Sequence, residues 1–298
     1  MFKQLGVIGC GLMGGSFALA MKKAGLVKRV VGYSKSPSTT KQAKKLGVID
    51  VAAESALQAV SGSDIVLIAV PVSATEATLK AIRHLVNPGV LFMDVGSTKC
   101  DVIEASRRAL GERAASFVPC HPIAGKESGG VQHAEATLYE GRQVILTPQP
   151  FTNPQLVQLA TDIWSALGAT VLKMRPHNHD AAFAAVSHLP HLLAFAYFQA
   201  IAEQPAARDY LSLAGPGFRD FTRIAAGEPT VWRDILLANK HEVLAQSKRF
   251  RTMLDQLEAL IETGDAAALD AALRPISEGR AAWNLSSPAV PPGRPAGK

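Results

Sequence analysis

Cysteine is scarce in this chain of 298 residues. It has three, Cys10, Cys100 and Cys120, an odd count without metal-type spacing. That argues against a disulfide framework and for a reducing compartment. Long apolar runs are missing as well, and none reaches the ~18 residues that span a bilayer. The first residues enter a glycine motif at once, which leaves no stretch for a signal peptide. A cytoplasmic protein with no membrane contact is the expectation. Dense basic runs are also absent: the formal charge is +6, but the Lys and Arg are scattered. Without aromatics interleaved among clustered cations, nucleic acid is not an expected partner. A modest positive balance suits small polyanions instead. No internal repeat is present.

What remains is ordinary for a soluble two-domain chain: 48% hydrophobic and 19% charged residues. The most informative stretch is Leu5 to Leu19. An apolar run, Leu5 to Ile8, leads into Gly9-Cys10-Gly11-Leu12-Met13-Gly14 and then a helix-like run from Ser16 to Ala24. This is G-x-G-x-x-G between a strand and a helix, the context that gives it meaning. Gly9 allows the tight turn, Gly11 lets a pyrophosphate approach the backbone, and Gly14 lets helix and strand pack closely. The helix start favours a phosphate.

Strand and helix signals then alternate. Val30–Tyr33 reads as a strand and Pro37–Leu46 as a helix ended by Gly47. Asp64–Pro71 and Val90–Val95 read as buried parallel strands. The helix between them, Ser73–Leu85, has Ser73 and Glu76 placed as a capping box. Further strands are expected at Phe117–Pro122, Gln143–Thr147 and Thr170–Met174, with a helix at Pro154–Leu167. Alternation of this kind implies an α/β fold with an N-terminal Rossmann-type doubly wound parallel sheet. Three prolines in Pro148–Pro154 mark the approach to a second, helical domain. Asn178–Ala202 reads as a long apolar helix kinked at Pro190, buried in a core or an interface. The expected division is 1–150 for dinucleotide binding, 151–285 for an all-α domain, and 286–298 as a disordered tail.

Ligands of such sheets sit at the carboxyl ends of the strands. The candidate cofactor contacts are Gly9, Gly11, Leu12, Met13, Gly14, Ser34, Lys35, Val70, Pro71 and Ser97. An NAD-specific site carries Asp or Glu about 20 residues past the motif. This chain has Ser34-Lys35 there, so NADP acceptance is predicted alongside NAD. His121, in a strand-end loop, is a candidate base, with Ser97 placed to orient it. Asp180, His188 and His191 return to one helix face. His-x-x-His without a third ligand is a poor metal site, and no metal is predicted. Arg219 and Arg223 offer forks for carboxylates.

Several motifs together resemble the prephenate/arogenate (cyclohexadienyl) dehydrogenase family of tyrosine biosynthesis. They are G-V-I-G-C-G-L-M-G-G-S at 6–16, D-V-G-S-T-K at 94–99, H-P-I-A-G-K-E-S-G at 121–129, S-H-L-P-H at 187–191, F-R-D-F-T-R-I-A at 218–225 and W-R-D-I-L-L-A-N-K at 232–240. The resemblance implies oxidation of a dicarboxylate substrate at its ring carbinol, hydride transfer to NAD(P)+ and loss of the ring carboxylate. It implies that His121 takes the hydroxyl proton, hydrogen-bonded by Ser97. It places Arg223 on a substrate carboxylate and His191 in the substrate site. Glu127 and Asp180 would belong to an ionic network at the entrance, with Trp232 at the rim. Lys126 stands where many members carry Thr and is a candidate substrate contact. A homodimer through the helical domain is implied as well. The competing readings are a β-hydroxyacid-type dehydrogenase, which relies on a lysine base, and a dinucleotide sensor without chemistry.

Overall fold

The computed structural model describes residues 1–126 and 128–283. Glu127 and the tail expected at 286–298 lie outside the described residues. By contacts the chain falls into two compact units, Met1–Leu244 and Ala245–Lys298.

The first unit begins with β1 (Leu5–Ile8), α1 (Leu12–Lys23), β2 (Val30–Tyr33), α2 (Pro37–Lys45), β3 (Val51–Ala52) and α3 (Ala56–Val60). It continues with β4 (Ile65–Ile68), α4 (Thr75–Ile82), β5 (Leu91–Asp94), α5 (Cys100–Leu110) and β6 (Phe117–Val118). Six strands form a sheet in the order β3-β2-β1-β4-β5-β6, every pair parallel. This is the doubly wound Rossmann order, with its switch point between β1 and β4. The central strands are apolar throughout because both faces are covered. Val7, Leu67 and Met93 face Phe17 and Trp164 in one cluster. Ile8, Val66, Ile68 and Phe92 face Leu79 and Val102 in the other. Alternate residues thus enter opposite cores, as the strand period requires.

The apolar segment Phe117–Pro122 is split between two sheets. β7 (Cys120–Pro122) pairs antiparallel with β8 (Gln143–Leu146), which pairs parallel with β9 (Thr170–Lys173). Between β8 and β9 runs α6 (Pro154–Ala166), capped by Asn153 with Pro154 in its first turn. Its Leu156, Ile163 and Trp164 belong to the same core as β1 and α1.

The helical part follows: α7 (Pro176–Phe183), a π-helical turn at Ala184–His188, and α8 (Leu189–Ala202). The break expected at Pro190 is absorbed by this π turn, which ends two residues upstream at His188, where the i→i−4 ladder yields to the missing N–H. By length and composition, Pro176–Ala202 is long and apolar enough to cross a membrane. Its His179, Asp180, His188 and His191, however, bond within the protein. α9 (Ala207–Ser212), α10 (Pro216–Thr222) and α11 (Pro229–Ala238) complete this part, and α12 (Lys240–Thr263) begins in it. The second unit contains the rest of α12 and α13 (Ala266–Ala282), none of whose residues is buried.

Two local expectations fail. α1 starts at Leu12, so Gly14 lies inside the helix. Ser73 does not cap the helix after β4; its hydroxyl donates to Asp234, and Glu76 pairs with Lys80 and Arg108. Charged partners brought in by the fold outcompete the local capping box.

Candidate active site

The glycines hold the first half of the site. Gly9 has a φ of +99°, and a Cβ there would lie 2.1 Å from the carbonyl oxygen of Ala69 at the end of β4. A Cβ on Gly14 would lie 2.0 Å from the Gly9 oxygen, so helix and strand touch through it. Gly11 is different: a Cβ there would meet nothing within 4 Å. It forms an open cradle at the start of α1, whose N-terminus no side chain caps. A pyrophosphate fits such a place, because the free N–H groups and the dipole both favour an anion. Leu12 is buried and Met13 half-buried behind this cradle. Ser34 turns inward: its Oγ accepts the Cys10 N–H at 2.8 Å, tying the ends of β1 and β2. Lys35 is exposed beside it. Burial pushes the Cys10 thiol up to about 11, so it stays protonated. Val70 and Pro71 follow β4, and Ser97 follows β5, all at carboxyl ends of the sheet.

A buried ion pair positions the second half. Lys99 is 0% exposed and donates to Asp94 and to the Cys120 oxygen. Asp94 also accepts the Cys120 N–H at 2.8 Å and the Gly96 N–H at 2.8 Å. The end of β5 is thereby tied to β7. Two charges out of water need this many bonds, since desolvation would otherwise outweigh their attraction.

His121 stands next to Cys120 on β7, 8% exposed. Its Nδ1 lies 2.8 Å from Nε2 of His179, and its ring packs edge-on against Phe183 at 4.7 Å. Burial, then the neighbouring His179, Lys99 and His188, hold its pKa well below the ordinary histidine value. His179 is also lowered, chiefly by burial, against the pull of Asp180. His179 Nδ1 lies 2.7 Å from Asp180 Oδ1. Asp180 accepts the backbone N–H groups of Lys99 and Cys100 at 2.8 and 2.9 Å, at the start of α5. Burial raises its carboxyl, but these hydrogen bonds outweigh it and the net shift is downward.

The wall of the site comes from α8 and α11. Asn239 donates to the Asp180 carbonyl oxygen at 2.8 Å and to Nδ1 of His188 at 3.1 Å. Burial lowers His188 to about 4. His191 donates from Nδ1 to the Ser187 oxygen at 2.9 Å and stacks on Trp232, 3.4 Å between centroids at 21°. Gly227 makes room for that indole, since a Cβ would lie 2.5 Å from its Nε1. Burial lowers His191, the bond to the Ser187 oxygen opposes this, and the Arg223 charge lowers it further.

The fold therefore gathers His121, Asp180, His188, His191, Trp232 and Arg223. It does not treat every predicted residue alike. Asp180, expected at an entrance, is buried beneath His179 because it caps α5. Among the described residues no hydrogen bond joins Ser97 to His121, whose Nδ1 faces His179. Lys126 is paired with Glu135 at 2.8 Å. Arg219 is 73% exposed and sits against its neighbour Asp220. His179, Lys99, Asp94 and Asn239 were missed. The signal for His179 was its place beside Asp180, but adjacent helical residues ordinarily face apart.

Two family models match in succession: "Prephenate dehydrogenase, nucleotide-binding domain" over residues 17–173 and "Prephenate dehydrogenase, dimerization domain" over 175–275. The chain belongs to the prephenate dehydrogenase family. The prephenate dehydrogenase of Bacillus subtilis is 36% identical over 87% of this chain and 70% of its own length. The cyclohexadienyl dehydrogenase of Zymomonas mobilis is 33% identical over 89% of this chain and 90% of its own. The crystal structure of prephenate dehydrogenase from A. aeolicus, in complex with hydroxyphenyl propionate and NAD+, superposes with a TM-score of 0.88. It is 34% identical and covers 94% of this chain and 98% of that one. Membership makes the chain a nicotinamide-dependent dehydrogenase, and the open cradle at Gly11 suits that cofactor.

Proposed function

We propose that this chain oxidatively decarboxylates prephenate, arogenate or both, with His121 as the base that takes the ring-hydroxyl proton. The observation that carries this is a neutral, nearly buried imidazole on β7, three residues past the carboxyl end of β6 in the Rossmann sheet. A base poised in that form is worth about 10²–10⁴-fold. NAD(P)+, when bound, supplies the hydride acceptor. Gly9, Gly11, Gly14 and the first turn of α1 hold its phosphates, with Leu12, Met13, Val70 and Pro71 around it and Ser97 near both cofactor and substrate. Arg223 and His191 receive a substrate carboxylate, and Trp232 fixes the His191 ring. Lys126, Glu127 and Arg219 stay candidate substrate contacts.

NADP is accepted as well as NAD, because the turn after β2 carries Lys35 and no carboxylate to repel a 2′-phosphate. The nucleotide-binding unit, expected over 1–150, extends to about residue 173, supported by α6 in the β1 core and by the family-model boundary. A helical substrate and dimerisation domain follows, and the working form is a cytoplasmic homodimer.

The test is reduced-nicotinamide formation by the purified protein with prephenate and with arogenate, each with NAD+ and NADP+. Turnover is expected with at least one substrate and with both cofactors. A folded protein that binds NAD+ and turns over neither substrate would instead be a sensor. Turnover with NAD+ alone would overturn the role given to Lys35.

A further inference from the structure

The proton positions around His121 follow from its partners. Asp180 accepts two backbone N–H groups and faces His179 Nδ1 at 2.7 Å. An ionised carboxylate has only acceptors, so the proton of that contact is on His179 Nδ1. A neutral His179 then offers only a lone pair at Nε2. The 2.8 Å contact to His121 Nδ1 therefore takes its proton from His121. What His121 keeps is a lone pair on Nε2. We propose that His179 and Asp180 are positioning residues that lock His121 in its Nδ1–H tautomer, so that Nε2 is the atom that accepts the hydroxyl proton.

The surroundings hold this arrangement still. Phe183 packs against both rings, at 4.7 Å from His121 and 4.5 Å from His179. Asn239 pins the Asp180 main chain, and the start of α5 favours its negative charge. In the step itself, the substrate O–H bond breaks and an Nε2–H bond forms on His121. The imidazolium charge so produced is balanced through His179 by Asp180. Without Asp180 that charge would rest in a buried site already shared with Lys99 and His188.

The inference rests on His121 being the base, but its first test does not need turnover. Nitrogen NMR of protein labelled with 15N-histidine reads the tautomer directly, with His121→Asn assigning the signal. In the unaltered protein, His121 should show a protonated Nδ1 and a bare Nε2. Asp180→Asn with its oxygen on the Cys100 N–H presents an NH₂ at the Oδ1 place, against His179, and gives up the Lys99 N–H bond. That reverses the relay, so the His121 pattern should exchange and kcat should fall by roughly 10²-fold or more, the cost of a wrong tautomer. His179→Gln and His179→Leu guard against misfolding. Gln can accept from His121 while donating to Asp180, so it should retain at least tenfold more kcat than Leu at similar thermal stability. A bare Nδ1 in the unaltered protein, an unchanged pattern in Asp180→Asn, or equal activity in the two His179 variants would overturn the proposal. If the tautomers are as stated but neither substrate reacts, the functional reading fails and the relay stands.

Discussion

Four imidazoles meet around one site, and all of them, His121, His179, His188 and His191, are held below the ordinary histidine value, chiefly by burial. This has a thermodynamic consequence. Their unfolded-state values lie near 6.5. Between those and the lowered folded values, the unfolded chain binds more protons than the native one. The stability they leave in place is therefore complete above about pH 6.5 and lost as pH falls through the folded values, which for His188 means a window from 6.5 down to about 4. Each such group contributes about 1.4 kcal/mol per pH unit inside its window. Thermal denaturation should show Tm falling steadily from pH 7 to pH 5. A flat Tm over that range would mean the imidazoles are not held neutral. The same burial makes His121 available as a base at neutral pH, so reactivity and acid sensitivity have one cause.

At the scale of elements, the β1–α1 turn separates two duties that its glycines share in the motif. Gly14 is a packing requirement, because its missing side chain is where the Gly9 carbonyl sits. Gly11 is a ligand requirement, because nothing of the protein lies in front of it. Alanine at each position should therefore have distinguishable effects. Gly14→Ala forces the helix off the strand, an overpacking of about 1–3 kcal/mol, and should lower both Tm and NAD+ affinity. Gly11→Ala should leave Tm where it is and weaken NAD+ by at least tenfold. Calorimetry of binding and of unfolding checks both. A Gly11→Ala protein with unaltered affinity would place the pyrophosphate elsewhere. The π turn at Ala184–His188 works at the same scale. It accommodates Pro190 while His188 bonds to Asn239 and His191 to Ser187.

For the whole molecule, the question is what covers the apolar helices. α8 buries only Leu189 and Ala194, and it leaves Tyr197 and Phe198 exposed. These rings cluster with Phe218 and Phe221 of α10. In the second unit Met253, Ile261, Leu273 and Ile276 are exposed as well. A helix apolar on every side is stable in water only against a partner. Sedimentation equilibrium should give a dimer. Because a buried aromatic is worth about 1.5–3 kcal/mol, replacing Tyr197 and Phe198 together by Asp should weaken the dimer at least a hundredfold. A monomeric unaltered protein would sink the assignment of these helices to an interface.

Some of this was legible in the sequence. The glycine spacing, the apolar strands of the sheet and the alternation with helices report local physics. A strand buried on both faces cannot hide its composition, and a turn that admits no Cβ must carry glycine. His121, His191, Trp232 and Arg223 could be named because short motifs carry them. What only the tertiary structure decided is who bonds to whom. Ser73 reads as a cap until Asp234, distant in sequence, takes its hydroxyl. Phe117–Pro122 reads as one strand until β5 and β8 divide it between two sheets. Asp180 reads as an entrance residue until α5 sets two N–H groups over it and His179 beside it. Long-range hydrogen bonds leave no periodic trace in the chain, because each depends on two segments that meet only once the core has formed.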